Sequence, residues 1–382
     1  MQRMLIIPFI LIGSMFMNTV CYGSDRVPKV RAKSAVLIEQ ESGRVLYEKN
    51  GYEPLAMAST TKIMTCILAL EKGKLDDIVT ISKRASSAQP VKLHLKPGEK
   101  QRLGDLLYAL MLQSDNDAAI AIAEHIGGSV EAFCEQMTEK AKAIGAESTS
   151  FKTPNGLDAE GHYASAYDMA LIGAYALHNP EFVRIVTTAT IEIPTMPTEG
   201  SRNYGLQNKN RFFYSYEGAN GVKTGFTNKA GHCFVGAAYR NDMQLVGAAL
   251  GSGWGSAGKT QKYTDVINMM NYGFSQYKKY TLIETQKNVA QVSIEKSTTK
   301  DLTIDCEKKV TLPLTDTEKS NIYIKKVVPC KMSAPIHKGD TVGEIQVICE
   351  GVILAKAPLI AGEEIPKATL FDYIRYWLKR NV

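Results

Sequence analysis

No Cys-x-x-Cys pair occurs among the seven cysteines of this 382-residue chain, and its six histidines include no His-Glu-x-x-His. Zinc sites built on the usual spacings are thereby excluded, and no metal or other cofactor is expected. Six cysteines stand singly (Cys66, Cys134, Cys233, Cys306, Cys330, Cys349), which is not the dense disulfide framework of a small secreted domain. Cys66 and Cys134 fall on apolar helix faces and read as buried free thiols. The Gly-x-Ser-x-Gly elbow is missing as well, which removes the usual signature of a Ser-His-Asp hydrolase. The net charge of +6 is spread along the chain, without a basic cluster interleaved with aromatics, so nucleic acid is not an expected partner. No internal repeat or low-complexity stretch breaks the sequence.

What is present begins with an export pattern. Residues 1–23 carry Arg3, an apolar run from Leu5 to Met17 and a small-residue end at Cys21-Tyr22-Gly23. The run contains Pro8 and Gly13 and is too short to span a bilayer, so it reads as a secretory signal peptide; an uncleaved anchor is the alternative.

Alternation predicts strands at 34–39 and 44–48, joined by a turn at Glu41-Ser42-Gly43. Helical periodicity follows after residue 59 and at 103–112, 118–126, 130–144 and 166–177. Strand signals return at 190–193, 221–226, 233–239 and 244–250, and a last helix is expected over 262–274. Strands interrupted by a helical insert complete one antiparallel sheet with a helical lobe, and a cleft between the two is the natural place for a site. Beyond residue 280 the runs are short and strand-like, with polar turns and no helical period until 367. The fold class is therefore α+β: a domain at 24–278, a small all-β domain at 279–364 and an amphipathic helix at 365–382.

Three short motifs carry the chemistry. Ser59-Thr60-Thr61-Lys62 opens an apolar helix, which sets Ser59 and Lys62 on one face; a serine needs a base, and a buried lysine can serve. Ser-x-x-Lys recurs at Ser256, Ser275, Ser293 and Ser297, but only Ser59 starts a buried helix. An N-capping serine is the plain reading of Ser59 taken alone. Ser114-Asp115-Asn116 forms a tight turn between helices, and Lys223-Thr224-Gly225 lies on a strand. Alone these are a helix cap and an edge-strand lysine. In this order they match the serine-lysine signature of penicillin-binding proteins and class A β-lactamases.

With Leu95-Lys96-Pro97-Gly98 and Asn155-Gly156-Leu157-Asp158 as context, residues from about 30 to 275 resemble the D-alanyl-D-alanine carboxypeptidases, the low-molecular-weight penicillin-binding proteins. The resemblance implies a β-lactamase/transpeptidase-like domain, peptidoglycan stem peptides as substrate and β-lactams as inhibitors. Ser59 would attack the penultimate D-alanine carbonyl, with Lys62 as base and Ser114 relaying protons. Asn116 would hold the substrate amide, and Lys223 and Thr224 would meet the terminal carboxylate. The oxyanion hole would come from the amides of Ser59 and Phe226, the latter directly after Gly225.

Two departures accompany the resemblance. Phe226 stands where some relatives have histidine, and only Lys259 and Lys262 are available where some use an arginine for the carboxylate. A class A β-lactamase would need a glutamate paired with an asparagine before Lys223; Glu160 lacks that partner. A penicillin-sensing domain that acylates without turnover is the third reading. Leu370, Phe371, Ile374, Trp377 and Leu378 share one helical face, with Trp, Tyr, Lys and Arg as at a lipid headgroup boundary. An in-plane helix on the outer face of the cytoplasmic membrane is expected; packing into the domain core is the alternative.

Overall fold

The computed structural model describes residues 27–194 and 202–380; the signal peptide expected at 1–23 lies outside them. Five strands form one sheet: β1 (Ser34–Glu39), β2 (Val45–Lys49), β3 (Ala219–Thr227), β4 (Gly231–Arg240) and β5 (Met243–Leu250). Their order is β2-β1-β5-β4-β3, antiparallel throughout. Strand β1 therefore pairs with a strand two hundred residues away, Ser34 facing Leu250. Side chains alternate between two cores. Val36 and Ile38 enter the helical-lobe core, and Ala35 and Leu37 enter the core beneath the long C-terminal helix of the domain.

The helical insert between β2 and β3 contains α1 (Lys62–Lys72), α2 (Asn116–Gly127), α3 (Val130–Ile144) and α4 (Ala166–Ala176). Helix α1 is buried from Lys62 through Ala69, as its unbroken apolar run foretells. On the other face α5 (Gly255–Gln276) packs Val266, Met269 and Met270 against the sheet. It starts seven residues before the expected helix, so Ser256 sits in a helical first turn. The glycines here allow close approach: a Cβ on Gly258 would lie 2.4 Å from the Gly253 carbonyl carbon.

Short elements escape the sequence reading, among them helices Pro180–Val186 and Arg211–Ser215 and strand Asn203–Gln207.

After α5 a second body begins. Strands 286–295, 301–306, 322–327, 331–333, 341–349 and 352–361 form a six-stranded sheet, and 278–283 pairs with 310–314. Leu302, Ile304, Val347 and Leu359 fill its core. One helix interrupts the β structure, Asp316–Asn321, with a capping box between Thr315 and Glu318. Six residues are too few to display a helical period. Arg44 bonds Glu318, and Lys279 reaches the buried Glu39 at 3.3 Å, so the β1–β2 turn is the seat of the second body.

The C-terminal helix (Leu370–Arg380) stands apart. Leu370 and Phe371 are 74% and 78% exposed, so its apolar stripe is not part of a core. Among the described residues no helix is long and apolar enough to cross a membrane.

Candidate active site

Ser59 lies in a 3₁₀ turn, Ala58–Thr61, and Lys62 is the first residue of α1. The turn is entered through Ala58 at φ +49°, a left-handed conformation costing about 1 kcal/mol or more outside glycine. The result is the predicted proximity: Lys62 Nζ is 3.1 Å from Ser59 Oγ. Lys62 is fully buried, and its other two protons go to Asn116 Oδ1 at 2.8 Å and the Asn155 carbonyl at 2.6 Å. Burial pushes the Lys62 pKa well below its ordinary value, and the Lys223 charge pushes the same way against Asp115 and Asp117. The Ser59 hydroxyl donates to the same Asn155 carbonyl at 3.3 Å.

A π-helical turn, Ala109–Gln113, runs into Ser114 at φ +72°, and α2 starts at Asn116. This is the tight interhelical turn expected from the sequence. Ser114 is half-buried, and among the described residues its hydroxyl bonds none of Ser59, Lys62 or Lys223. Asn116 is committed at both ends: Oδ1 accepts from Lys62, and Nδ2 donates to the Gln89 and Pro90 carbonyls. Its work in this state is to orient Lys62, not to wait open for a substrate amide. Asp117 receives the Leu93 and Leu95 amides, tying down the loop beside them. Burial and the neighbouring Asp117 raise Asp115 to about 7.

Strand β3 is an edge strand and brings Lys223, Thr224, Gly225 and Phe226 past the serine. A Cβ on Gly225 would come within 2.8 Å of the Ser59 amide nitrogen, and one on Gly156 equally close from the other side. Only glycine permits that approach at either position. Lys223 is buried, with its pKa lowered to about 7 by burial and by Lys262. Lys262, on α5, is buried too and lowered to about 8, whereas Lys259 is exposed. Among the described residues neither Lys223 nor Lys262 has a carboxylate partner within 4 Å; two clustered, unpaired ammonium groups are a site for an anion.

The segment 149–165 supplies what sequence reasoning missed. Its Asn155 carbonyl is the shared acceptor for Ser59 and Lys62, and Thr65 Oγ1 holds the preceding Pro154 carbonyl at 2.6 Å. His162 locks the loop base. The Lys152 amide can only donate, so Nδ1 of His162 accepts (3.0 Å), and Nε2 carries the proton facing Thr61 Oγ1 (3.0 Å). The Asn155-Gly156-Leu157-Asp158 stretch was legible as context, but a backbone carbonyl leaves no mark in a sequence.

Rival arrangements fail on contacts. His232 bonds the Gly255 carbonyl and His162 bonds Thr61, so no histidine reaches Ser59. Glu160 is exposed, and among the described residues no carboxylate bonds Ser59 or Lys62.

Residues 23–253 match the family described as D-alanyl-D-alanine carboxypeptidase, and 277–367 match the penicillin-binding protein 5 C-terminal domain. The chain is 36% identical over 351 residues to D-alanyl-D-alanine carboxypeptidase DacF of Bacillus subtilis, covering 90% of this chain and 88% of that protein. It is 30% identical to DacC of Escherichia coli over 92% and 88% of the two chains. The structure of penicillin-binding protein 5 from Haemophilus influenzae superposes with a TM-score of 0.77 at 25% identity, over 89% of this chain and 98% of that one.

Proposed function

The chain belongs to the D-alanyl-D-alanine carboxypeptidase family and is a serine-type DD-carboxypeptidase, and on that footing we propose how its residues divide the work. The substrate is a peptidoglycan stem pentapeptide, and penicillins acylate the same serine. The observation that supports this most directly is the convergence on Ser59 of a buried lysine, a backbone carbonyl and a glycine-lined amide.

In the resting state Lys62 donates to Ser59 Oγ. Loss of one proton gives Lys62 a lone pair, which receives the Ser59 proton as Oγ attacks the carbonyl carbon. Its lowered pKa makes the neutral form accessible. The developing oxyanion meets the amides of Ser59 and Phe226, held at the edge of the sheet by close packing of Gly225. Lys62 returns the proton to the leaving D-alanine, with Ser114 as relay. Lys223, Thr224 and Lys262 receive the terminal carboxylate, a charge-assisted contact for two otherwise unpaired cations. Asn116 keeps Lys62 aimed and turns its amide toward the substrate only if it gives up a present partner.

We assign residues 24–278 to the catalytic domain and the following strands to the β-rich domain, which extends past the expected boundary at 364 because Ile365 is buried in its core and pairs with Ile336; the helix lying in the membrane surface is Leu370–Arg380, not 365–382. The exposed Leu370, Phe371, Ile374, Trp377 and Leu378 support that location, at the outer face of the cytoplasmic membrane after export.

A D-alanine release assay on a pentapeptide tests the activity, with intact-mass measurement after penicillin. We expect free D-alanine and one adduct, absent from Ser59→Ala. Rapid nitrocefin turnover without D-alanine release would favour a β-lactamase, and stable acylation with neither product a sensor.

A further inference from the structure

The leaving-group side of the site carries an aromatic ring that the chemistry above does not use. Phe226 is 44% exposed on edge strand β3, and alternation puts it on the same face as Thr224. Its ring lies 4.4 Å from that of its cross-strand partner His232, tilted by 34°. His232 donates in turn to the Gly255 carbonyl at the start of α5, at 3.1 Å, and burial, then the Lys262 charge, lower its pKa. Trp254 closes the same corner: its indole N–H donates to the Asn228 carbonyl at 2.8 Å, and its ring packs over Gly231. Phe226 is thus backed on one side and open on the other, at a fixed place on the rim.

Resting on the reading in which Thr224 and Lys262 take the substrate carboxylate, we propose that the Phe226 ring is the wall for the leaving residue's side chain. The enzyme then accepts terminal D-amino acids with apolar side chains, D-leucine and D-phenylalanine, as well as D-alanine. The scissile carbonyl oxygen sits at the Phe226 amide, and the leaving nitrogen is bonded to that carbonyl carbon. The carboxylate of the leaving residue is anchored at Thr224, two residues back on the face that Phe226 shares. Its side chain is therefore confined to the neighbourhood of the ring. A methyl touches only the edge, whereas an isobutyl or benzyl group covers the open face. The chemistry is unchanged: the peptide C–N bond breaks, the acyl group passes to Ser59 Oγ, and the D-amino acid leaves with the proton from Lys62.

The test compares kcat/KM for three peptides that differ only in the last residue, D-alanine, D-leucine or D-phenylalanine. For the unmodified enzyme we expect all three within about tenfold of one another, and Phe226→Ala should cut the D-phenylalanine to D-alanine ratio about tenfold. Phe226→Leu should recover most of the D-leucine ratio. Each ratio is taken within one preparation, so a change in the folded fraction cancels. An unmoved ratio, or one raised by Phe226→Ala because the ring is a barrier, overturns the proposal. Failure of the unmodified enzyme to release D-alanine would overturn the underlying activity, and the proposal with it.

Discussion

The carbonyl oxygen of Asn155 stands 2.6 Å from Lys62 Nζ and 3.3 Å from Ser59 Oγ, accepting from both. A carbonyl has no proton to take or give, so it positions the pair without competing for the base role.

Lys62→Arg should lower acylation by roughly three orders of magnitude or more, since a guanidinium holds its proton at any working pH. Stopped-flow acylation with a fluorescent penicillin measures this. A variant acylating at near-normal rate would move the base role to Ser114 and Lys223.

Gly225→Ala should cost at least about a hundredfold in kcat, the scale of losing an oxyanion donor. A Cβ there would press on the Ser59 amide at 2.8 Å and force β3 away from the serine. Circular dichroism should show a folded protein. Unimpaired hydrolysis would show that the amide of Ser59 is not used.

His162 gives a pH signature. Burial lowers its pKa to about 4 from 6.5, so the folded chain resists a proton that the unfolded chain accepts. Its contribution is complete above pH 6.5 and declines as pH falls toward 4, by up to about 3 kcal/mol. Protonation would also put an N–H against the Lys152 amide. His162→Gln should flatten this stretch of the urea-midpoint profile between pH 6.5 and 4. An identical slope in both proteins would remove His162 as the cause.

Truncation after Thr369, which keeps the buried Ile365 and its pairing with Ile336, should leave an active enzyme that no longer sediments with anionic vesicles. The exposed stripe on the C-terminal helix predicts retention of the full chain, weakened but not abolished by salt. Equal sedimentation of both forms would place membrane contact elsewhere.

Much of this site was legible because its chemistry demands particular side chains at particular spacings. Ser59 with Lys62, Ser114 with Asn116, and Lys223 with Gly225 are such cases. Asn155 was visible only as part of a turn, because its backbone acts and its side chain does not. Lys262 stood level with Lys259 until burial separated them. The early start of α5 was hidden by Gly255 and Gly258, which serve close packing there, while the capped helix at 316–321 is too short for periodicity. Asn116 shows the limit from the other side: its presence was foreseen, but not that both ends of its amide are already engaged.

The pairing of β1 with β5 also bears on the order in which this enzyme can assemble. Residues 34–39 have no neighbour on that side until residue 250 exists, and the edge that offers Lys223 hangs from the same late strands. Such distant pairings close slowly, since a long loop must be ordered before any contact rewards it. A partial chain ending before β3 would hold Ser59, Lys62 and Ser114 and still lack the wall that makes them reactive. Capture of penicillin during refolding is therefore a clock for closure of the whole sheet, and it should lag behind the appearance of helical signal.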